Sequence, residues 1–193
     1  MADNITIKDG NGANTTLGTK DLGSGVHAPK HYNVAGEEFI GFIASPADII
    51  SVTPTLDTSI YASGDLMFEQ TTIASAVRVN GGRAILQSLT VIDEDDQGVA
   101  FDLWISSANS DFGTLNSAPS ISDAVSRDLL GYIAIATGDY KDLGGVKVAT
   151  LRNIGLLVEA NSTSNSIYAA GVTGGTPTYT ASGVKIIFGF VQG

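Results

Sequence analysis

Short apolar runs alternate with clusters of Gly, Pro, Asn and Asp from about Tyr32 onward. In the run 99–106 every second residue from Val99 is large and apolar, so one face of an extended chain would be buried while Trp104 lies on the other. Short, regularly spaced runs of this kind predict strands rather than helices. The predicted strands are 38–44, 49–53, 59–62, 66–69, 84–92, 99–106, 132–137, 146–150, 154–159, 167–172 and 184–191.

The spacing of these runs predicts an all-β fold, an antiparallel β-sandwich of the jelly-roll or Greek-key type. The run 99–106 is expected to pair with 84–92 as a hairpin. One short helix is predicted after Ser120, because Asp123 follows three residues later as in a capping box. Gly131 is then expected to follow the last helical residue.

Residues 1–31 differ from the remainder, because large apolar residues are sparse there and Gly, Asn, Thr and Asp dominate. Such a segment buries too little apolar surface to order itself alone. The sequence therefore predicts an extended N-terminal arm over 1–31 and a β-sandwich domain over 32–193. The arm residues that we expect to contact a partner are Ile5, Ile7, Leu17, Leu22 and Val26.

The charge balance narrows the possible partners. The chain has 193 residues, 16% of them charged, and a net charge of −10. An acidic surface repels phosphate groups, so neither nucleic acid nor an anionic membrane is an expected partner. We also expect no secretory signal and no membrane span, because no basic start with an apolar run and no stretch of about 18 apolar residues occurs. Synthesis in a cytoplasm is expected.

The densest charge cluster lies at residues 93–98, which we name the acidic turn. Its four consecutive carboxylates from Asp93 to Asp96 could bind Ca²⁺, and they resemble the start of an EF-hand loop. However, the position that should hold Glu is Trp104, and both flanks predict strands. The alternative is a solvated turn whose acids prevent association of sheet edges.

Other catalytic or metal signals are weak. His27 and His31 have the spacing of a metal pair on a helix, but Pro29 lies between them and disfavours a helix. No P-loop, dinucleotide fingerprint or Gly-x-Ser-x-Gly elbow is present. The absence of cysteine excludes a disulfide scaffold and a thiolate metal site. We therefore expect a non-enzymatic protein without catalytic residues, bound metal or cofactor.

Several short stretches between Thr53 and Phe188 stand in a characteristic order. They are Pro54–Thr58, Tyr61–Asp65, Leu89–Asp93, Asp95–Gln97, Asp102–Ile105, Asn116–Pro119, Ser122–Asp123, Ile154–Leu156, Ile167–Ala170 and Gly175–Tyr179. In these stretches the chain resembles the auxiliary capsid proteins of tailed bacteriophages that are called decoration or cement proteins. The resemblance implies a jelly-roll on the capsid surface of a virion, a homotrimer that bridges neighbouring subunits of the major capsid protein.

Three classes of function remain to be distinguished. Under the capsid hypothesis, Tyr61, Trp104 and Tyr168 are the expected subunit contacts. The alternative is a receptor- or carbohydrate-binding module of a phage fibre or tail, which would require an exposed aromatic groove or Ca²⁺ at the acidic turn. A small hydrolase or lyase is the third class, and it is disfavoured because no motif orients a nucleophile or a base.

Overall fold

The computed structural model describes residues 47–193 throughout and, before them, four short strands. The chain forms two compact units, Met1–Ala44 and Ser45–Gly193. In the first unit two antiparallel pairs are present, β1 with β2 and β3 with β4. Their bounds are β1 Ile5–Lys8, β2 Asn14–Leu17, β3 Thr19–Asp21 and β4 His27–Pro29. The predicted strand 38–44 lies outside the described residues, and the extended arm remains a prediction.

The second unit is built from strands, with one α-helical turn, α1 (Asp123–Ser126), and one 3-10 turn (Thr137–Asp139). Its strands are β5 Ala47–Val52, β6 Leu66–Ile73, β7 Arg83–Asp93, β8 Phe101–Ser106, β9 Leu129–Ile135, β10 Tyr140–Asp142, β11 Lys147–Glu159, β12 Ile167–Thr173 and β13 Val184–Gln192.

These strands form two antiparallel sheets. The first sheet has the order β10-β11-β7-β13-β5, and the second has the order β6-β12-β8-β9. The pairs are nested along the chain, since β5 pairs with β13, β6 with β12, β7 with β11 and β8 with β9. Nested pairing of this kind is a long hairpin rolled into a sandwich, which is the jelly-roll topology. The predicted all-β jelly-roll sandwich is confirmed.

The core lies between the inner faces of the two sheets. Alternate residues of β8 and β13 point inward, as the period of two in their sequences requires, and β7 follows the same pattern with one change of phase at Gln87 and Ser88. Phe188 and Phe190 stack with ring centroids 6.1 Å apart, and Phe68 meets Phe101 edge to face at 6.4 Å. Burying one such side chain contributes about 1.5–3 kcal/mol. This core makes the sandwich a rigid scaffold for its two outer faces.

The predicted hairpin between 84–92 and 99–106 is wrong. β7 lies in the first sheet between β11 and β13, whereas β8 lies in the second sheet between β12 and β9. The acidic turn carries the chain from one sheet to the other, and it does so with positive φ at Asp96 (59°) and Gly98 (60°). Two alternating runs joined by a short turn fit either arrangement, because alternation alone does not specify the partner strand.

Two further predictions need correction. The helix is a single turn capped by Ser122 rather than Ser120, and Gly131 lies inside β9 because that segment pairs with β8. The runs 146–150 and 154–159 form one strand, β11, interrupted by an irregularity at Asn153 (φ 58°) and Gly155 (φ 69°). The run 59–62 forms no strand, and the backbone N–H of Tyr61 donates to the carbonyl of Pro177 instead.

Candidate functional site

Tyr61 is a core residue, although the sequence predicts it as a subunit contact. Its side chain is 1% exposed. The phenol oxygen accepts a hydrogen bond from the Asp57 N–H at 2.6 Å and donates one to the Met67 carbonyl at 2.9 Å. The ring packs edge to face against Tyr179 at 6.4 Å. Because this side chain cannot reach a neighbouring subunit, the predicted role of Tyr61 is wrong.

Trp104 lies on the outer face of the second sheet, as the alternation predicts. It is half-buried and stands directly opposite Tyr132 of β9. The two rings stack with centroids 5.0 Å apart and planes inclined by 28°, and Tyr132 is 56% exposed. Stacked aromatic pairs contribute about 0.5–1.5 kcal/mol beyond their buried area. We name Trp104 and Tyr132 the aromatic anchor.

A small second core supports the aromatic anchor. The connection between β8 and β9, residues 107–128, lies over part of the outer face of the second sheet, and its Phe112 is buried there with Leu66 and Ala170. The half-buried residues that pack against this cluster are Trp104, Val125, Leu129 and Val172. The indole is therefore held in place from the side of the sheet, while the ring of Tyr132 remains accessible.

Tyr168 lies on the same outer face as the aromatic anchor. It is half-buried on β12 and stands opposite Ser106 of β8. The next pair of residues on the same face of the sheet is Ala170 and Trp104. The structure thus brings Trp104 and Tyr168 to one side of the sandwich. Tyr132 was missed by sequence reasoning, because its position beside Trp104 depends on the register between β8 and β9.

The predicted contacts of the arm are outside what the structure tests. Ile5 stands opposite Leu17 in the pairing of β1 with β2, and Ile7 lies in the same β1 strand. Leu22 and Val26 lie outside the described residues. Their roles in binding a partner remain predictions.

The acidic turn is engaged with the rest of the domain. The carboxylate of Asp93 is fully buried and accepts hydrogen bonds from the N–H of Asp95 at 3.1 Å and of Gly98 at 2.6 Å. The carboxylate of Asp95 accepts from the N–H of Thr180 at 2.7 Å and from the Thr180 hydroxyl at 2.9 Å. The interpretation of these acids as a solvated turn is therefore wrong for Asp93.

A cation also holds the acidic turn. The Lys147 ammonium donates to the Asp96 carbonyl at 2.7 Å and forms an ion pair with its carboxylate at 3.3 Å. Among residues 47–193 and the four short strands before them, no group of three or more His, Cys, Asp or Glu side chains is arranged to hold a metal. His27 lies in β4, and His31 lies outside the described residues. Its contacts therefore hold the acidic turn against β11 and against the segment before β13.

Two buried tyrosines beside the acidic turn predict a loss of stability at alkaline pH. Burial, reinforced by the charge of Asp93, raises the pKa of Tyr140 and of Tyr179 well above the usual value near 10. Both phenols therefore stay protonated in the folded state at pH values at which they ionise in the unfolded chain. The stability they contribute is complete below about pH 10 and is lost as the pH rises toward the folded-state pKa.

We expect the free energy of unfolding to fall above pH 10 by up to about 1.4 kcal/mol per pH unit for each of these tyrosines. Urea unfolding at pH 8, 9, 10 and 11 measures this slope. The double variant Tyr140→Phe/Tyr179→Phe should flatten it. If the free energy of unfolding falls equally steeply with pH in that variant, other groups cause the loss of stability at alkaline pH.

No protein-family model matches the chain, and no curated protein matches it. In the part of the chain that the structure describes, no helix is long and apolar enough to cross a membrane.

Proposed function

We propose that this chain is a structural virion protein, which binds the exterior of a tailed-phage capsid and stabilises it by bridging neighbouring major capsid subunits. The aromatic anchor carries the proposal. Tyr132 is largely exposed, yet its ring is stacked on Trp104, which packs against a cluster of its own. An aromatic side chain fixed before binding loses little conformational entropy when a partner covers it, and such residues dominate the energy of protein interfaces.

The fold is suited to a structural protein that reinforces an assembly. Nested antiparallel pairs and a continuous core between the sheets give the two outer faces a fixed separation. A rigid body that contacts two capsid subunits adds buried surface across their boundary. Separating the subunits would expose that surface again, so the added contact opposes separation. The resemblance to decoration proteins supports the capsid as the partner, and we propose that the aromatic anchor and Tyr168 contact other copies in a homotrimer.

Cryo-electron microscopy of virions from the phage that encodes this chain tests the proposal. We expect density for the jelly-roll on the outside of the capsid, at junctions between capsomers and in groups of three. The outer face that carries Tyr132 should lie against another copy. Density for this domain on the tail or the fibres, with a bare capsid surface, would refute the capsid role.

A carbohydrate-binding module is the second candidate, and one observation favours it. An open groove on the same side of the second sheet is lined by Asp102, Ala134 and Val172, and Asp102 and Ala134 are two residues from Trp104 and Tyr132 along β8 and β9. An exposed ring beside a carboxylate is an arrangement that can bind a sugar. A glycan array separates the two functions. Binding that disappears in Tyr132→Ala and persists in Ile60→Ala would favour the sugar, and an array without signal would favour the capsid.

A further inference from the structure

The outer face of the first sheet carries a row of exposed apolar side chains on three adjacent strands. Leu157 of β11 stands opposite Ile85 of β7, and Ile85 stands opposite Val191 of β13. Their exposed fractions are 62%, 39% and 40%. Contiguous exposed apolar patches on soluble domains mark sites of interaction, whereas single exposed apolar residues need no explanation. Together with the cations described next, this row forms what we name the docking face.

A second row of the docking face carries no charge. Thr90 lies opposite both Thr150 and Ile187, and the two threonine hydroxyls are 3.4 Å apart. One row farther, Ile92 lies between Val148 and Lys185. On the solvated face of an antiparallel sheet, the outward residues are ordinarily polar or charged. Here the outward positions are largely β-branched, as they would be on a surface that becomes covered.

The charged residues of the docking face are mainly cations. Lys141, Arg152 and Lys185 project from the same side as the apolar row, and none of them forms a salt bridge with another described residue. Glu159 at one end of the face is neutralised by Arg83 at 3.1 Å. By contrast, β6, β8, β9 and β12 of the second sheet contain no Lys or Arg. A positive, apolar face is thus present on a chain whose net charge is −10.

These features specify the chemistry of the partner. A second copy that met this face symmetrically would place Lys141, Arg152 and Lys185 against the same cations. A second copy could also meet it with the opposite side of the sandwich, whose strands contain no Lys or Arg, and such head-to-tail contacts form an open fibre unless the rotation between copies closes a ring. A nucleic acid would require a denser set of cations than three among apolar residues. The complement of this face is a different protein surface that is acidic and partly apolar.

The dimensions of the docking face predict a contact of modest strength. Four strands, each about 4.8 Å wide, and seven residues at about 3.3 Å each give roughly 19 Å by 23 Å, or about 440 Å². One partner in a standard interface contributes about 800 Å², so this contact is smaller than average. Charge complementarity should therefore contribute visibly, and binding should weaken as ionic strength increases.

We propose that the docking face binds an acidic, partly apolar protein surface, and that this surface is the capsid exterior. The inference rests on the proposed function and deepens it, because it states which side of the sandwich meets the capsid and by what chemistry. The apolar row would supply the buried apolar part of the contact. Lys141, Arg152 and Lys185 would pair with carboxylates of the capsid surface.

Cosedimentation of the full-length chain with capsid particles tests the docking face, using particles from a phage in which the gene for this chain is deleted. We expect Leu157→Glu to lower the apparent affinity at least ten-fold, because it places an acid against an acidic surface. Ile60→Glu is its matched control, since Ile60 is 66% exposed and its carbonyl accepts a hydrogen bond from Asn116 of the β8–β9 connection. The double variant Arg152→Glu/Lys185→Glu should weaken binding similarly at low salt, whereas Arg127→Glu should bind as the unaltered chain does. Melting temperatures establish that each variant is folded.

The outcomes separate the two proposals. If the unaltered chain binds and all variants bind equally well, the docking face is refuted and the capsid function stands. If the unaltered chain does not bind its own capsid, the proposed function fails, and docking on the capsid fails with it. Sedimentation velocity without particles gives the remaining outcome. If Leu157→Glu dissociates an oligomer that Ile60→Glu leaves intact, the face joins copies of this chain and the proposal is overturned.

Discussion

Replacing Phe68 with alanine is expected to lower the free energy of unfolding by about 3–5 kcal/mol. The ring is fully buried between the sheets and meets Phe101 edge to face at 6.4 Å. Its removal leaves a cavity that the paired strands on both sides cannot close. Urea denaturation followed by far-ultraviolet circular dichroism measures the change. Ile60→Ala, at an exposed apolar position, should change the free energy of unfolding by less than about 1 kcal/mol.

The same ring explains why position 171 is glycine. A Cβ atom there would overlap the ring of Phe68, so Gly171→Ala alone should cost about 1–3 kcal/mol through overpacking. In the Phe68→Ala background the obstacle is gone, and the second substitution should cost much less. Strictly additive losses in this double-mutant cycle would show that the two residues do not limit each other.

Replacing Asp93 with alanine is expected to lower the free energy of unfolding by about 3 kcal/mol or more. The carboxylate is fully buried and accepts hydrogen bonds from the backbone N–H groups of Asp95 and Gly98. Each buried N–H left without an acceptor costs about 1–3 kcal/mol. Thermal and urea unfolding at pH 7 measure the loss.

Two variants test whether the loss at Asp93 comes from its hydrogen bonds. Asp93→Asn keeps one carbonyl acceptor and should lose less than alanine does. Glu94→Ala removes an adjacent but exposed acid and should leave stability within about 0.5 kcal/mol of the unaltered protein. A loss at Glu94 as large as that at Asp93 would mean that total charge, and not the buried hydrogen bonds, governs the turn.

Local patterns in the sequence were sufficient for most of the long strands and for the side on which Trp104 lies. Alternation with a period of two depends on the geometry of an extended chain alone, so 84–92, 99–106, 167–172 and 184–191 correspond closely to β7, β8, β12 and β13. The many short runs with turn residues between them also indicated a sandwich. These features need no knowledge of which segments meet.

The tertiary structure decided everything that depends on a distant partner. The sequence predicted Tyr61 at a surface, but its hydroxyl is held by Asp57 and Met67 and its ring by Tyr179. Likewise Asp93 is covered because Tyr179 and its neighbours pack over the acidic turn. Burial depends on how the assembled sheets and loops pack. Alternation does not identify the residues from elsewhere in the chain that cover a given side chain.

The aromatic anchor and the docking face likewise depend partly on the sequence pattern and partly on the tertiary structure. The sequence placed Trp104 on an outer face, yet the aromatic anchor exists because the register between β8 and β9 sets Tyr132 beside it. The docking face requires β7, β11 and β13 to be neighbours, so that Leu157, Ile85 and Val191 form one row. The sequence by itself determined most of the long strands and, in runs such as 99–106, their inward and outward positions. The order and register of the strands, set by packing across the whole sandwich, decided which outward positions become a surface.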